Sequence, residues 1–145
     1  MDPKEILRRA RSIQNRMDRR QAELDRLREM RSYLSATEYD RPVVAHSAGR
    51  GSVEQMATDE TLDRLEQVYR ADLHALAEAK LEAIGLIGLL EDSRMQEVLW
   101  EYYIRCAKSW DAAADALYMG RRTALRLHGR ALNLLRLALN GTADL

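Results

Sequence analysis

Phenylalanine is absent from this 145-residue sequence, cysteine occurs once and proline twice. The lone Cys106 excludes an internal disulfide and, without a CxxC pair, a cysteine-based zinc module. The longest apolar run, Ala83 to Leu90, is far shorter than the roughly 20 residues that cross a bilayer. The first turn is charged rather than signal-like, so neither a membrane span nor a leader is expected, and the cytoplasm is the default location. His46, His74 and His128 are too dispersed for a local metal signature, and HExxH, a Gly-rich phosphate loop and a nucleophile elbow are all missing. No catalytic residue, cofactor or metal site is expected.

Formal charge is zero, with 23 basic and 23 acidic residues, but the charge is unevenly placed. Lys and Arg outnumber Asp and Glu over residues 1–34 and again over 106–145, while acids dominate 58–105. Two cationic ends around an acidic middle suit one surface that meets an anion such as DNA, because local field rather than net charge steers encounters.

The opening Asp2-Pro3-Lys4-Glu5 reads as a helix start: Asp2 accepts from free N–H groups, Pro3 lacks a donor where none is needed, and Glu5 completes a capping box. Ile6, Ala10, Ile13, Met17, Leu24, Leu27, Met30 and Leu34 then recur mostly every three or four residues. This is one narrow apolar seam on a charged rod. From Ser35 to about Ser52, Ser, Thr, Pro42 and Gly49-Arg50-Gly51 predict a loop. The seam resumes through Leu62, Leu65, Tyr69, Leu76, Ala83, Ile87 and Leu90, after rival start signals at Ser52 and Thr58-Asp59-Glu60. The simplest arrangement is an antiparallel hairpin or dimeric coiled coil, with Gly85 and Gly88 allowing a bend or close crossing. Shorter helices follow, opened by a Ser93-to-Gln96 box, by Ser109, and near Gly120, the last stopping at Asn140-Gly141. With no strand alternation, an all-α fold is predicted: a hairpin and oligomerisation region over 1–90, then a helix-turn-helix over 91–141.

That second region carries the functional signal. Small Ala113 and Ala114, the tight Tyr118-Met119-Gly120 break and an Arg-rich helix fit two helices that cross steeply near a turn. Ala124, Leu127, Ala131 and Leu134 should face the core, leaving Arg122, Arg126 and Asn133 outside. Arg121, Arg122, Thr123 and Arg126 are the candidate base or phosphate contacts; Lys108, Ser109 and Arg130 are assigned to phosphates. Trp110, Tyr102 and Tyr103 lie on apolar stripes and read as core or interface anchors rather than base-stacking platforms, and His128 as a residue that packs or caps within the last helix.

The run Leu89-Leu90-Glu91-Asp92, Val98-Leu99, Tyr102-Tyr103-Ile104, Ser109-Trp110, Ala113-Ala114, Leu117 and Arg122 to Leu132 resembles region 4 of bacterial sigma factors. More narrowly, it is similar to the ArpU-type regulators of phages and prophages. Ala113, Ala124 and Gly120 stand where that group usually has Ile, Val and a capping Ser. The resemblance implies binding to promoter DNA, control of phage late or prophage genes, and a hairpin that forms a homodimer or touches host RNA polymerase. Two readings from other classes are a small terminase subunit for DNA packaging and a coiled-coil interaction protein that binds no DNA.

Overall fold

The computed structural model describes residues 2–40 and 48–143, with the side chains of 2–34 and 56–141. Its helices are α1 (Pro3–Asp40), α2 (Ala48–Ile87), α3 (Ser93–Leu99), α4 (Trp110–Ala116) and α5 (Arg121–Ala143), with α3 prolonged by a π-helical turn, Trp100–Ile104. No strand occurs among the described residues, and no helix there is long and apolar enough to cross a membrane.

Helix lengths depart from the sequence expectation at three places. The stretch Ser35 to Asp40 contains neither Pro nor Gly, so nothing in it forces a break, and α1 runs six residues beyond Leu34. Helix α2 begins at Ala48, ahead of both candidate start signals. The expected loop of 35–52 is therefore helical at both flanks, and its middle, 41–47, lies outside the described residues. Helix α5 continues through Gly141 to Ala143 rather than stopping at it.

The chain divides into two compact units, one of residues 1–15 with 74–145 and one of residues 16–73. These do not coincide with the boundary at residue 90 read from the sequence. In the 16–73 unit α1 and α2 pair antiparallel: Arg16 and Arg20 meet Asp72, Arg28 meets Glu66 at 3.3 Å, and Arg31 meets Asp59 at 3.2 Å. As the number on α1 rises, its partner on α2 falls. Met17, Leu24 and Leu62 are buried along this seam, whereas Met30, expected on it, is half exposed.

Asp72 interrupts the apolar seam between Tyr69 and Leu76 and is only 9% exposed. A buried carboxylate is costly unless it is paired, and here two guanidiniums of α1, one turn apart, converge on it. A one-residue slip would separate the charges, so this triad favours the same register as the buried Met17, Leu24 and Leu62.

In the other unit the first turns of α1 are sealed by Leu7, Ala10 and Ile13, with Leu7 rather than Ile6 fully buried. From α2 come Leu76, Ala79, Ala83, Leu86 and Ile87, and from just beyond it Leu90. Gly85 and Gly88 mark no close crossing: a Cβ on Gly85 would meet nothing within 4 Å, and one on Gly88 only ordinary contacts. Gly88 lies just past the helix end, where Leu89 N–H and Leu90 N–H donate to Leu86 and Ile87 carbonyls. Helix α3 is capped by Asp92, which accepts from Arg94 and Met95 N–H, rather than by Ser93. The expected partner Gln96 instead donates to the Leu90 carbonyl at 2.6 Å.

Replacing Asp72 with Ala should lower unfolding free energy by about 1 to 2 kcal/mol, below the usual cost of breaking a buried pair because both arginines are partly solvated. In an Arg16→Ala/Arg20→Ala background the same replacement should cost little. Urea unfolding of the four proteins measures this, and equal costs in both backgrounds would show that the triad does not couple.

Candidate nucleic-acid interface

The C-terminal module is assembled from the loop that follows α3. Arg105 N–H donates to the Trp100 carbonyl, five residues back, and Ala107 N–H to that of Glu101, while Cys106 turns through φ +55°. The widened π turn places consecutive aromatics in different environments. Tyr102 stacks on Trp110 with ring centroids 3.9 Å apart and planes 8° from parallel. Tyr103 is buried and meets Nε2 of His128 through its hydroxyl at 2.7 Å. Trp110 packs on the same imidazole at 4.5 Å.

Arg11 of α1 completes this cluster. Its guanidinium lies 4.0 Å from the Tyr102 ring centroid, and Nη1 donates to the carbonyls of Tyr102 at 2.6 Å and Ala107 at 2.8 Å. Two groups within about 4 Å of one ring cannot share a face, so Tyr102 is held between Trp110 and Arg11. The carbonyls left without helical partners at the end of the turn are thus satisfied by a cation some ninety residues away in sequence. The aromatics act as anchors, as their stripe positions predicted.

Ser109 starts α4 as expected, accepting from Ala112 N–H at 3.0 Å. The helix ends at Ala116 with Leu117 as its C-cap, and beyond it Met119 N–H donates to the Ala114 carbonyl and Tyr118 N–H to that of Asp115. This is a Schellman turn, and its left-handed position, normally glycine, is filled by Tyr118 at φ +55° with 96% of its surface exposed. Ala113 and Ala114 are buried where α4 meets α5.

Helix α5 packs on α3 and α4. Its buried side is Ala124, Leu127, Ala131, Leu132 and Leu135; Leu134, expected in this stripe, is instead 48% exposed. At 100° per residue, Leu135 rather than Leu134 stays in line with Ala124 and Ala131. On the far side Arg122, Arg126, Arg130 and Asn133 are exposed. The three arginines form no ion pair among the described residues. Around them, Lys108 is exposed, Thr123 is half-buried, and Arg121 meets Asp111 at 3.7 Å in a pair exposed on both sides. Such a pair contributes at most about 1 kcal/mol and yields readily to a phosphate. Ser109 is committed to its cap through its acceptor lone pair.

The structure therefore brings Arg122, Arg126 and Arg130 onto one uncovered helix face. Of the other expected contacts, Arg121 has a competing partner and Thr123 is partly withdrawn. Sequence reasoning missed Arg11, because nothing in its local pattern distinguishes it from the other arginines of α1. It also missed the left-handed Tyr118, because a tyrosine does not signal that conformation. An apolar groove of about 520 Å³, lined by Ile84, Ile87, Trp100 and Leu117 with Glu97 and Glu101 among its polar groups, shares no residue with the arginine face. No family model matches the chain, and neither a curated protein nor a solved structure matches it.

Two tests probe the scaffold of this site. Burial, with help from the Lys4 and Arg8 charges, lowers the His128 pKa to about 4, and burial raises that of Tyr103 to about 12, so their hydrogen bond joins two neutral groups at neutral pH. An imidazole that resists protonation when folded stabilises the fold above its unfolded pKa of about 6.5, and that contribution is lost as pH falls toward 4. The melting temperature of the wild type should fall over this window more steeply than that of His128→Gln, and parallel profiles would refute the assignment. Tyr118→Gly should raise unfolding free energy by about 1 kcal/mol, since glycine adopts the left-handed backbone freely. A loss of stability in the same urea assay would contradict it.

Proposed function

We propose that this chain is a sequence-specific regulator that binds duplex DNA through the exposed arginine face of α5, in the manner its resemblance to phage and prophage transcriptional regulators implies. The observation that carries the reading is the guanidinium set of Arg122, Arg126 and Arg130, exposed and without an ion pair, opposite a buried stripe that holds the helix rigidly. An α-helix fits the major groove, and a guanidinium there reads guanine O6 and N7 with two parallel hydrogen bonds. Arg122 and Arg126, one turn apart near the start of α5, occupy the positions from which a recognition helix reaches base edges. Lys108, at the start of α4, and Arg130 contact phosphates and set the docking angle.

The homodimer belongs to the same reading. Met30 and Met56, both about half exposed or more, leave apolar surface on the 16–73 unit for a second copy. Inverted half-sites about one DNA turn apart in the bound sequence would support this dimer.

Selection from random duplex DNA at near-physiological salt tests the proposal. The wild type should enrich one motif with inverted halves. Arg122→Ala/Arg126→Ala should lose it, since each correct bidentate pair supplies about 1 to 3 kcal/mol of discrimination. No enrichment by the wild type would refute the regulator, and equal enrichment by the variant would refute the contact assignment.

A further inference from the structure

The sequence divides the chain at residue 90 and leaves α1 wholly to the hairpin, but the first turns of α1 are built into the C-terminal module. Residues 1–15 belong to the same compact unit as 74–145. Asp2, at the N-terminal end of α1, meets Arg136 of α5 at 3.5 Å. About two and a half turns along, Arg11 is bonded to the Tyr102 and Ala107 carbonyls, next to Lys108 and the start of α4. The α1 segment between these two anchors therefore runs from the flank of α5 to the N-terminus of α4.

Lys4 and Arg8 project from that segment one turn apart, with the exposed Arg9 beside Arg8. Arg8 is exposed and Lys4 partly so, and neither forms an ion pair among the described residues. Leu7 and Ala10 fill the buried side of the same turns, so these cations are fixed on the module rather than carried on a loose arm. Both lie close enough to α5 for their charges to disfavour protonation of His128. His128 packs on Trp110, the residue after Ser109, so the imidazole that feels both cations lies against the first residue of α4.

Building on the DNA-binding reading, we infer that Lys4 and Arg8 of α1 form a second phosphate-binding strip, which takes the sugar-phosphate backbone beside the groove that α5 enters. The strip has no access to base edges in this role. It adds affinity, fixes the module's orientation on the duplex and leaves sequence preference to α5. The N-terminal helix thereby belongs to two structures at once, the hairpin beyond Arg16 and the DNA interface before it.

The salt dependence of binding separates this from a packing role. Each phosphate contact that releases a counterion contributes about 0.9 to the slope of log K against log salt. For the full-length protein and its selected DNA, Lys4→Ala/Arg8→Ala should lower that slope by about one to two and weaken binding at least several-fold, with the preferred sequence unchanged. Lys4→Arg/Arg8→Lys, which keeps both charges, should retain the wild-type slope. Arg64→Ala/Arg70→Ala, which removes the same charge from the 16–73 unit, should retain it as well. An unchanged slope in the Lys4/Arg8 alanine pair, or an equal fall in the Arg64/Arg70 pair, would overturn the strip while leaving the α5 reading standing. Wild-type protein that binds no DNA would overturn both.

Discussion

Arg11 is the residue on which the C-terminal module most depends. One guanidinium covers the face of Tyr102 and donates to two carbonyls that the π turn leaves without helical partners. Tyr102 in turn stacks on Trp110, and Trp110 packs on His128, which is bonded to Tyr103. Each member is anchored by the next, so the cluster ties α1, the end of α3, the start of α4 and the middle of α5 into one body. A lysine would keep the charge but lose the flat, forked geometry that allows ring contact and two hydrogen bonds from the same group.

With that cluster in place, α5 has little freedom to rotate. Its small and branched residues, Ala124, Leu127, Ala131 and Leu135, are buried, and each buried leucine contributes about 1.5 to 3 kcal/mol. The orientation that hides them turns Arg122, Arg126 and Arg130 outward. The exposed arginine face is thus a consequence of packing on its opposite side. In the hairpin the relation is reversed: a buried charge, Asp72, sits within the apolar seam, and the two arginines that neutralise it favour one register. Tyr118 carries a different cost, a left-handed backbone at the turn between α4 and α5 whose side chain packs on almost nothing.

Much of this was legible in the sequence because apolar spacing is a local signal. The all-α class, the hairpin seam, the Ser109 cap, the break at Tyr118 to Gly120 and the outward arginines of α5 all follow from residues within a few turns of one another. Where two apolar residues stood side by side, spacing alone chose wrongly, taking Ile6 over Leu7 and Leu134 over Leu135. Caps were ambiguous for a similar reason, since Asp92 and Ser93 are both competent and only tertiary packing decides between them. Breaker composition over 35–52 overstated the loop: the serine and threonine of 35–40 disfavour a helix only weakly, and Gly49 and Gly51 are helical in spite of their low propensity. What could not be read was non-local: Arg11 reaching the Tyr102 loop, Arg16 and Arg20 reaching Asp72, and the inclusion of residues 1–15 in the C-terminal unit.

The account's central claim is that the outward side of α5 is a surface for duplex DNA. Titration of the isotope-labelled protein with its selected duplex, followed by amide NMR, tests this most directly. Shifts should concentrate at Lys108 to Arg130, with little change over 56–72. Perturbation confined to 56–72, with the amides of α5 unmoved at saturation, would contradict it.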